Sequence, residues 1–209
     1  GSDSSFCGLI NFEVIHMDLL LGVFSAFGLS ASAGLNAYIP LLAVAIISKF
    51  TNILNLNEPW DTLSNWWIIG ILVVLSLVEF FADKIPAINH VNDAIQTIIR
   101  PVAGAIAFAA SANVITEISP VFSLAMGLLV AGGVHAAKAV AVRPAVTATT
   151  GGVGNVFVSV AEDVVATVLS ILAILIPIVA GILLSMFAAW VIWFFWRRAN
   201  KRNAQSMAE

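Results

Sequence analysis

The sequence predicts an all-α, polytopic membrane protein with about six transmembrane helices and one interfacial amphipathic helix. Three observations carry that prediction. The chain is 60% hydrophobic and only 10% charged, against about 25% charged in an ordinary soluble domain. A water-soluble fold of this size could not hide so much apolar surface. Long apolar runs recur along the chain, near the roughly 20 residues that a helix needs to cross a bilayer. Acidic residues nevertheless sit within or at the edge of those runs: Glu79 and Asp83 in one, Glu162 and Asp163 in another. A carboxylate in hydrocarbon costs a few kcal/mol or more, so these side chains imply a polar interior shared between helices.

Taken in order, Gly1-Ser2 resembles a cloning scar and Met17 directly precedes the first apolar run. Residues 1–16 are therefore expected to be a tag or N-terminal extension. The single cysteine, Cys7, cannot form an intrachain disulfide. Residues 17–198 are expected to form one transmembrane domain, with halves 17–116 and 121–198, and 199–209 a cytoplasmic tail. The spans fall at roughly 19–48, 66–83, 101–115, 121–142, 155–175 and 177–196. The first is too long for one simple span. It holds Gly28, Ser30, Ser32, Gly34, Asn36 and Pro40, so it is expected to be tilted, kinked or broken in its middle. Thr51–Asn65 reads as a polar turn region. Ile88, Val91, Ile95 and Ile98 recur with helical spacing, and Asn89, His90, Asn92, Asp93 and Gln96 cover the other side. Residues 88–99 thus read as an amphipathic helix at the inner interface or folded back into the bundle. The third span is short and Ala-rich, which suits the bundle interior. Thr147–Gly154 reads as a Gly-rich inner loop, a hinge or a re-entrant segment. Pro177 favours a tight turn between the last two spans, with one long kinked helix as the alternative.

Inner loops are rich in Lys and Arg. Six spans and a cytoplasmic N-terminus place Lys84, Arg100, Arg143, Arg197, Arg198, Lys201 and Arg202 inside and leave only Lys49 outside. Both termini are then cytoplasmic. Trp60, Trp66 and Trp67 mark the outer interface, and Trp190, Trp193 and Trp196 the inner one.

Helix rise converts spacing into depth. Glu79 comes about 20 Å below Trp66, with Asp83 one turn further on the same face. His135 lies about 20 Å below Val121, and Lys138 follows it. Glu162 lies about 10 Å above the inner end of its span. The charges therefore converge in the inner half. A neutral salt-bridge network would lock the helices together, since breaking one member of a buried pair costs about 3–5 kcal/mol. A cytoplasm-facing polar cavity would instead use Glu79, Asp83, Glu162 and Asp163 to bind a proton or cation. Asn36, His135 and Lys138 are then candidate cavity-lining residues. Lys84, Arg100 and Arg143 are candidates for an anion or lipid head group.

Other chemistries lack a pattern. There is no H-x-x-H or C-x-x-C to hold a metal, no G-x-S-x-G nucleophile context, and no nucleotide-binding glycine motif. No enzyme activity, cofactor or nucleic-acid partner is expected. Small-x-x-x-small faces occur at Gly28/Ser32, Ser30/Gly34, Gly127/Ala131 and Gly133/Ala137, with Ala103-Gly104-Ala105 between them. These suit close helix packing within the chain or in a homo-oligomer.

Residues 33–37 resemble 132–136, and 76–79 resemble 159–162. Three spans per half would make an inverted 3+3 repeat, as in many transporters. The two glutamates, however, are both counted into the inner half, whereas strict inversion mirrors their depths.

The runs GLSASAGLNAYIPLL (28–42), VEFFADKIPAINHVNDAIQTIIR (78–100) followed by Pro101 and Gly104, and SVAED (159–163) carry a family resemblance. Over residues 18–196 the chain resembles the bacterial membrane family catalogued as domain of unknown function 4126. The resemblance implies an inner-membrane location and supplies no catalytic residues. It places Asn36, Glu79, Asp83, Lys84, Asp93, Arg100 and Asp163 in motif-bearing regions. The expected function is a small transporter or channel-like protein using intramembrane carboxylates. The alternatives are a lipid-handling or envelope-homeostasis protein that binds lipid phosphate, and a non-transporting scaffold. Membrane lipids and a small ion or lipid ligand are the expected partners.

Overall fold

The computed structural model describes residues 20–84, 86–112 and 119–206. The expected N-terminal extension 1–16, with Cys7, and the expected start at Met17 lie outside the described residues, as does the side chain of Asp93. Every regular element among the described residues is helical. The order is α1 (Leu20–Leu35), α2 (Tyr38–Phe50), a 3-10 turn (Trp60–Ser64), α3 (Trp66–Ala82), α4 (Pro86–Ala112), α5 (Pro120–Ala137), a π-helical segment (Lys138–Val142), α6 (Arg143–Thr150), α7 (Gly154–Leu175) and α8 (Pro177–Ser206).

The first apolar run is broken in its middle, as its polar and small residues imply. Asn36 makes the break. Its N–H still donates to the Ser32 carbonyl at 3.0 Å, closing α1. Its side-chain Oδ1 then accepts from the N–H groups of Tyr38 and Ile39, each at 3.1 Å, opening α2. A helix N-terminus leaves four N–H groups without intrahelical partners, and the asparagine satisfies two of them.

Two expectations are corrected. The segment 88–99 is not a separate interfacial helix. It runs unbroken into the third predicted span as the 27-residue α4, with Pro101 inside. Gln96, Arg100, Ala103 and Ala107 are all buried and follow helical spacing. Gln96 and Arg100 therefore face protein in phase with the Ala-rich stripe, and that shared face outweighs the one hydrogen bond lost at the proline. The Gly-rich stretch is not a loop throughout either. α6 extends to Thr150, and only Gly151 (φ 63°) and Gly152 (φ 94°) turn the chain in the left-handed region that glycine tolerates. The tail beyond 198 is likewise helical as far as Ser206.

Between α5 and α6 the Arg143 N–H bonds to the Lys138 carbonyl, five residues back. Pro144 explains the wide turn. Its ring collides with the carbonyl four residues earlier in a regular α-helix, and it has no N–H to offer. Widening to π geometry relieves that contact. At the other junction, Pro177 opens α8 at a position where its missing N–H costs nothing. α8 turns back to pack on α7.

α1 occupies the centre. Leu29 and Ala33 are fully buried in the apolar core. The Ser30 hydroxyl donates to the Gly127 carbonyl of α5 at 2.8 Å, and the Ser32 hydroxyl to the Ala166 carbonyl of α7 at 2.8 Å. The small-residue faces permit these approaches within the chain. A Cβ on Gly127 would lie 2.5 Å from the Gly104 carbonyl, and one on Gly28 would lie 2.6 Å from the Ala173 Cβ. Gly133, by contrast, has nothing within 4 Å of an added Cβ.

Ala94–Ala112, Pro120–Thr150 and Gly154–Leu175 are long and apolar enough to cross a membrane, and α1, α2, α3 and Pro177–Trp190 are shorter apolar helices. Their outer faces expose Ile71, Val74 and Phe81 on α3, Val164 and Val168 on α7, and Ile182 and Met186 on α8. Apolar helices with apolar outer faces and charges within are the build of a membrane protein.

Candidate functional site

The interior charges form one continuous cluster. At its sealed end, Arg100 on α4 is fully buried and donates from Nη2 to Glu79 Oε1 at 2.9 Å and to Asp83 Oδ2 at 3.4 Å. Glu79, on the last turn of α3, also accepts from the Ala37 N–H through Oε2 at 3.2 Å. The carboxylate thus joins Asn36 in holding the N-terminal end of α2, where the helix dipole favours a negative charge. Asp83 caps α3 and further accepts from Asn92 Nδ2 and, at 3.4 Å, from the Ser159 hydroxyl of α7.

A second branch ties α3 to α7 at the break. Lys84 Nζ lies 3.1 Å from Asp163 Oδ2. Asp163 Oδ1 accepts from Asn36 Nδ2 at 3.0 Å. Lys84 also donates to the Phe80 carbonyl at 2.9 Å and sits over the Phe80 ring.

The open end involves different residues. Lys138, the first residue of the π segment, pairs with Glu162 Oε2 on α7 at 2.5 Å. Arg143 Nη2 stands 4.0 Å from both Glu162 Oε2 and Asp83 Oδ2. Those separations are ion pairs beyond hydrogen-bond range. Arg143 therefore stands between the two ends, 4.0 Å from a carboxylate of each.

Two cavities meet at this open end. One, of about 780 Å³, runs between α1, α5, α7 and α8. Its walls are apolar, with Leu35, Val134, Val165, Leu169 and Leu183 among them, and among the described residues Lys138 and Glu162 are the charged ones that line it. The other, of about 580 Å³, lies between α4, α5, the π segment, α6 and α7. Thr97, His135, Thr147 and Asn155 line it, and among the described residues its charged ones are Lys138 and Arg143. Thr97 and His135 touch through Oγ1 and Nε2 at 3.2 Å, and Asn155 donates to Thr147 at 2.9 Å. Lys138 borders both spaces.

The structure accordingly sorts the sequence-derived candidates. Glu79, Asp83, Glu162, Asp163, Lys84, Arg100, Lys138, Arg143 and Asn36 all belong to one cluster. His135 and Lys138 line the polar cavity, whereas Asn36 lines neither cavity. Arg100 is sealed against Glu79 and Asp83, away from both. Sequence reasoning missed Ser159 and Asn92 as partners of Asp83, although SVAED and the polar stripe held both. It also missed the apolar cavity, whose wall comes from separate helices and leaves no local pattern. Among the described residues no group of three or more His, Cys, Asp or Glu stands ready to hold a metal ion.

A family model described as Domain of unknown function (DUF4126) matches residues 23–197. The chain belongs to that family. The matched region of this DUF4126 protein contains the whole cluster from Asn36 to Asp163 and both cavities. No curated protein and no solved structure matches the chain.

Proposed function

We propose that this DUF4126 protein is a small multi-pass transporter of the bacterial inner membrane that moves an anion together with a proton. One observation carries the reading: the Lys138–Glu162 ion pair stands in the wall between a polar and an apolar cavity, with Lys138 bordering both. An anion arriving in the polar cavity takes Lys138 away from Glu162. A buried carboxylate stripped of its partner is costly, so Glu162 becomes neutral by taking a proton from water. Departure of the anion restores the pair and releases that proton. Among the described residues, the charged groups around Glu162 are Lys138 from the π segment and Arg143 from α6, with Asp83 sharing Arg143 and Arg100 beyond it.

The ligand is read as an anion because Lys138 and Arg143 are the charged residues that line the polar cavity among the described residues. Glu79 is read as an anchor, since it is buried against Arg100 and the start of α2. The inverted 3+3 repeat has support in the site itself. In each half an interrupted helix is met at its interruption by a glutamate: Ala37 by Glu79, and Lys138 by Glu162. The basic residues then give six crossings with both termini cytoplasmic. The protein is proposed to be non-enzymatic and to work among membrane lipids.

A scaffold reading has its own support, because Glu79, Asp83, Glu162 and Asp163 are each within ion-pair distance of a base. It gives no role to the cavities. Proteoliposomes carrying a pH-reporting dye separate the two. On addition of inorganic phosphate, citrate or dioctanoyl phosphatidic acid, the wild type acidifies the lumen above protein-free vesicles with at least one of the three, and Glu162→Gln does not. No proton movement with any anion, or equal movement in Glu162→Gln, refutes the transport reading.

A further inference from the structure

The two cavities differ in chemistry yet share a wall. The polar one offers Lys138 and Arg143 with the hydroxyls of Thr97 and Thr147 and the amide of Asn155. Cationic donors flanked by hydroxyls and an amide suit a phosphate, which carries several strong acceptor oxygens. The apolar one offers hydrocarbon walls beyond the Lys138–Glu162 pair at its edge. Its volume of about 780 Å³ falls within the range of a ligand pocket, about 300–1,000 Å³. Val164, Val165, Val168, Leu183 and Phe187 line it and are each 47–57% exposed on the outer faces of α7 and α8. That cavity therefore opens sideways, onto the apolar flank. A hydrocarbon chain enters it from there without crossing water.

Resting on the transport reading above, we infer that the ligand is a phosphate-bearing amphiphile, an anionic lipid whose phosphate sits at Lys138 and Arg143 and whose chain lies in the apolar cavity. A free inorganic anion would use the polar cavity alone and leave the adjoining apolar one without a role. A zwitterionic lipid would bring a cationic group against Lys138 and Arg143. The lipid phosphate displaces Glu162 as the partner of Lys138 and takes Arg143, which stands 4.0 Å from Glu162 and Asp83, as its second cation.

The test is binding to the full-length wild-type protein in detergent, by native mass spectrometry. The probes are dioctanoyl phosphatidic acid, dioctanoyl phosphatidylcholine and inorganic phosphate. Phosphatidic acid binds about tenfold or more tightly than phosphatidylcholine, the scale of one charge-assisted hydrogen bond lost. Val165→Trp fills the apolar cavity and leaves the charges in place; it weakens phosphatidic acid and spares phosphate. Lys138→Met combined with Glu162→Gln removes the pair together, so no lone buried charge remains, and it abolishes the preference for phosphatidic acid. Equal binding of the two lipids overturns the inference, and so does phosphate that competes as well as phosphatidic acid with no effect of Val165→Trp. Proton movement driven by phosphate and lost in Glu162→Gln, without selective lipid binding, would leave the transport reading standing and this one refuted. The comparison among probes on the wild type decides the matter even if a variant fails to fold.

Discussion

At the residue scale, two glutamates of similar sequence context serve different ends. Glu79 is bound by a guanidinium and a backbone N–H in a sealed position. Its replacement leaves Arg100 buried with a single weaker partner. Glu79→Gln is expected to lower the unfolding free energy by about 3–5 kcal/mol, read as a fall in the thermal midpoint in detergent. Asn36→Ala removes the cap on Tyr38 and Ile39 and costs about 1 kcal/mol or more; the same melting measurement shows whether the fall is smaller than that of Glu79→Gln. Sequence alone marked both residues, because a carboxylate or an amide in an apolar run needs a reason to be there. It did not divide anchor from exchangeable group. That division depends on which side chain borders a cavity, and the partners, Arg100 and Lys138, come from different helices.

At the element scale, the broken first run was legible from Asn36 and the small residues around it, and the turn at Pro177 from the proline. The continuity of α4 was not. Pro101 and a change from polar to Ala-rich composition resemble a boundary, and only the shared buried face of Arg100 and Ala103 joins the pieces. The π segment was equally hidden, since a proline after a long apolar run also signals an ordinary helix end. Pro144→Ala lets the turn relax toward α geometry and rotates Lys138 away from Glu162. Separating that buried pair is expected to lower the melting temperature, and the fraction that folds is expected to lose proton movement in proteoliposomes. The glycines divide cleanly. Gly127→Ala collides with the Gly104 carbonyl and the Phe108 side chain and is expected to destabilise the α4–α5 contact. Gly133→Ala meets nothing and, from helix propensity, is expected to gain up to about 1 kcal/mol. Melting curves of the two variants give opposite signs.

For the whole molecule, composition and apolar run length were enough to indicate an all-helical membrane protein. They could not report that α1 lies at the centre with α4, α5 and α7 around it. Such an arrangement is set by close approaches at Ser30, Ser32, Gly104 and Gly127 rather than by hydropathy. Orientation is a prediction at this scale too. With both termini inside, a cysteine placed at Asn57 is labelled by an impermeant thiol reagent in intact cells, and one placed at Asn155 is labelled only after lysis. The account's central claim is that the Lys138–Glu162 pair works while the Glu79–Arg100 pair holds the fold. Anion-driven proton movement per folded molecule, compared between Glu162→Gln and Glu79→Gln, tests it most directly. The account predicts no movement in folded Glu162→Gln and continuing movement in whatever fraction of Glu79→Gln folds. Wild-type movement in Glu162→Gln beside a folded but inactive Glu79→Gln would contradict it.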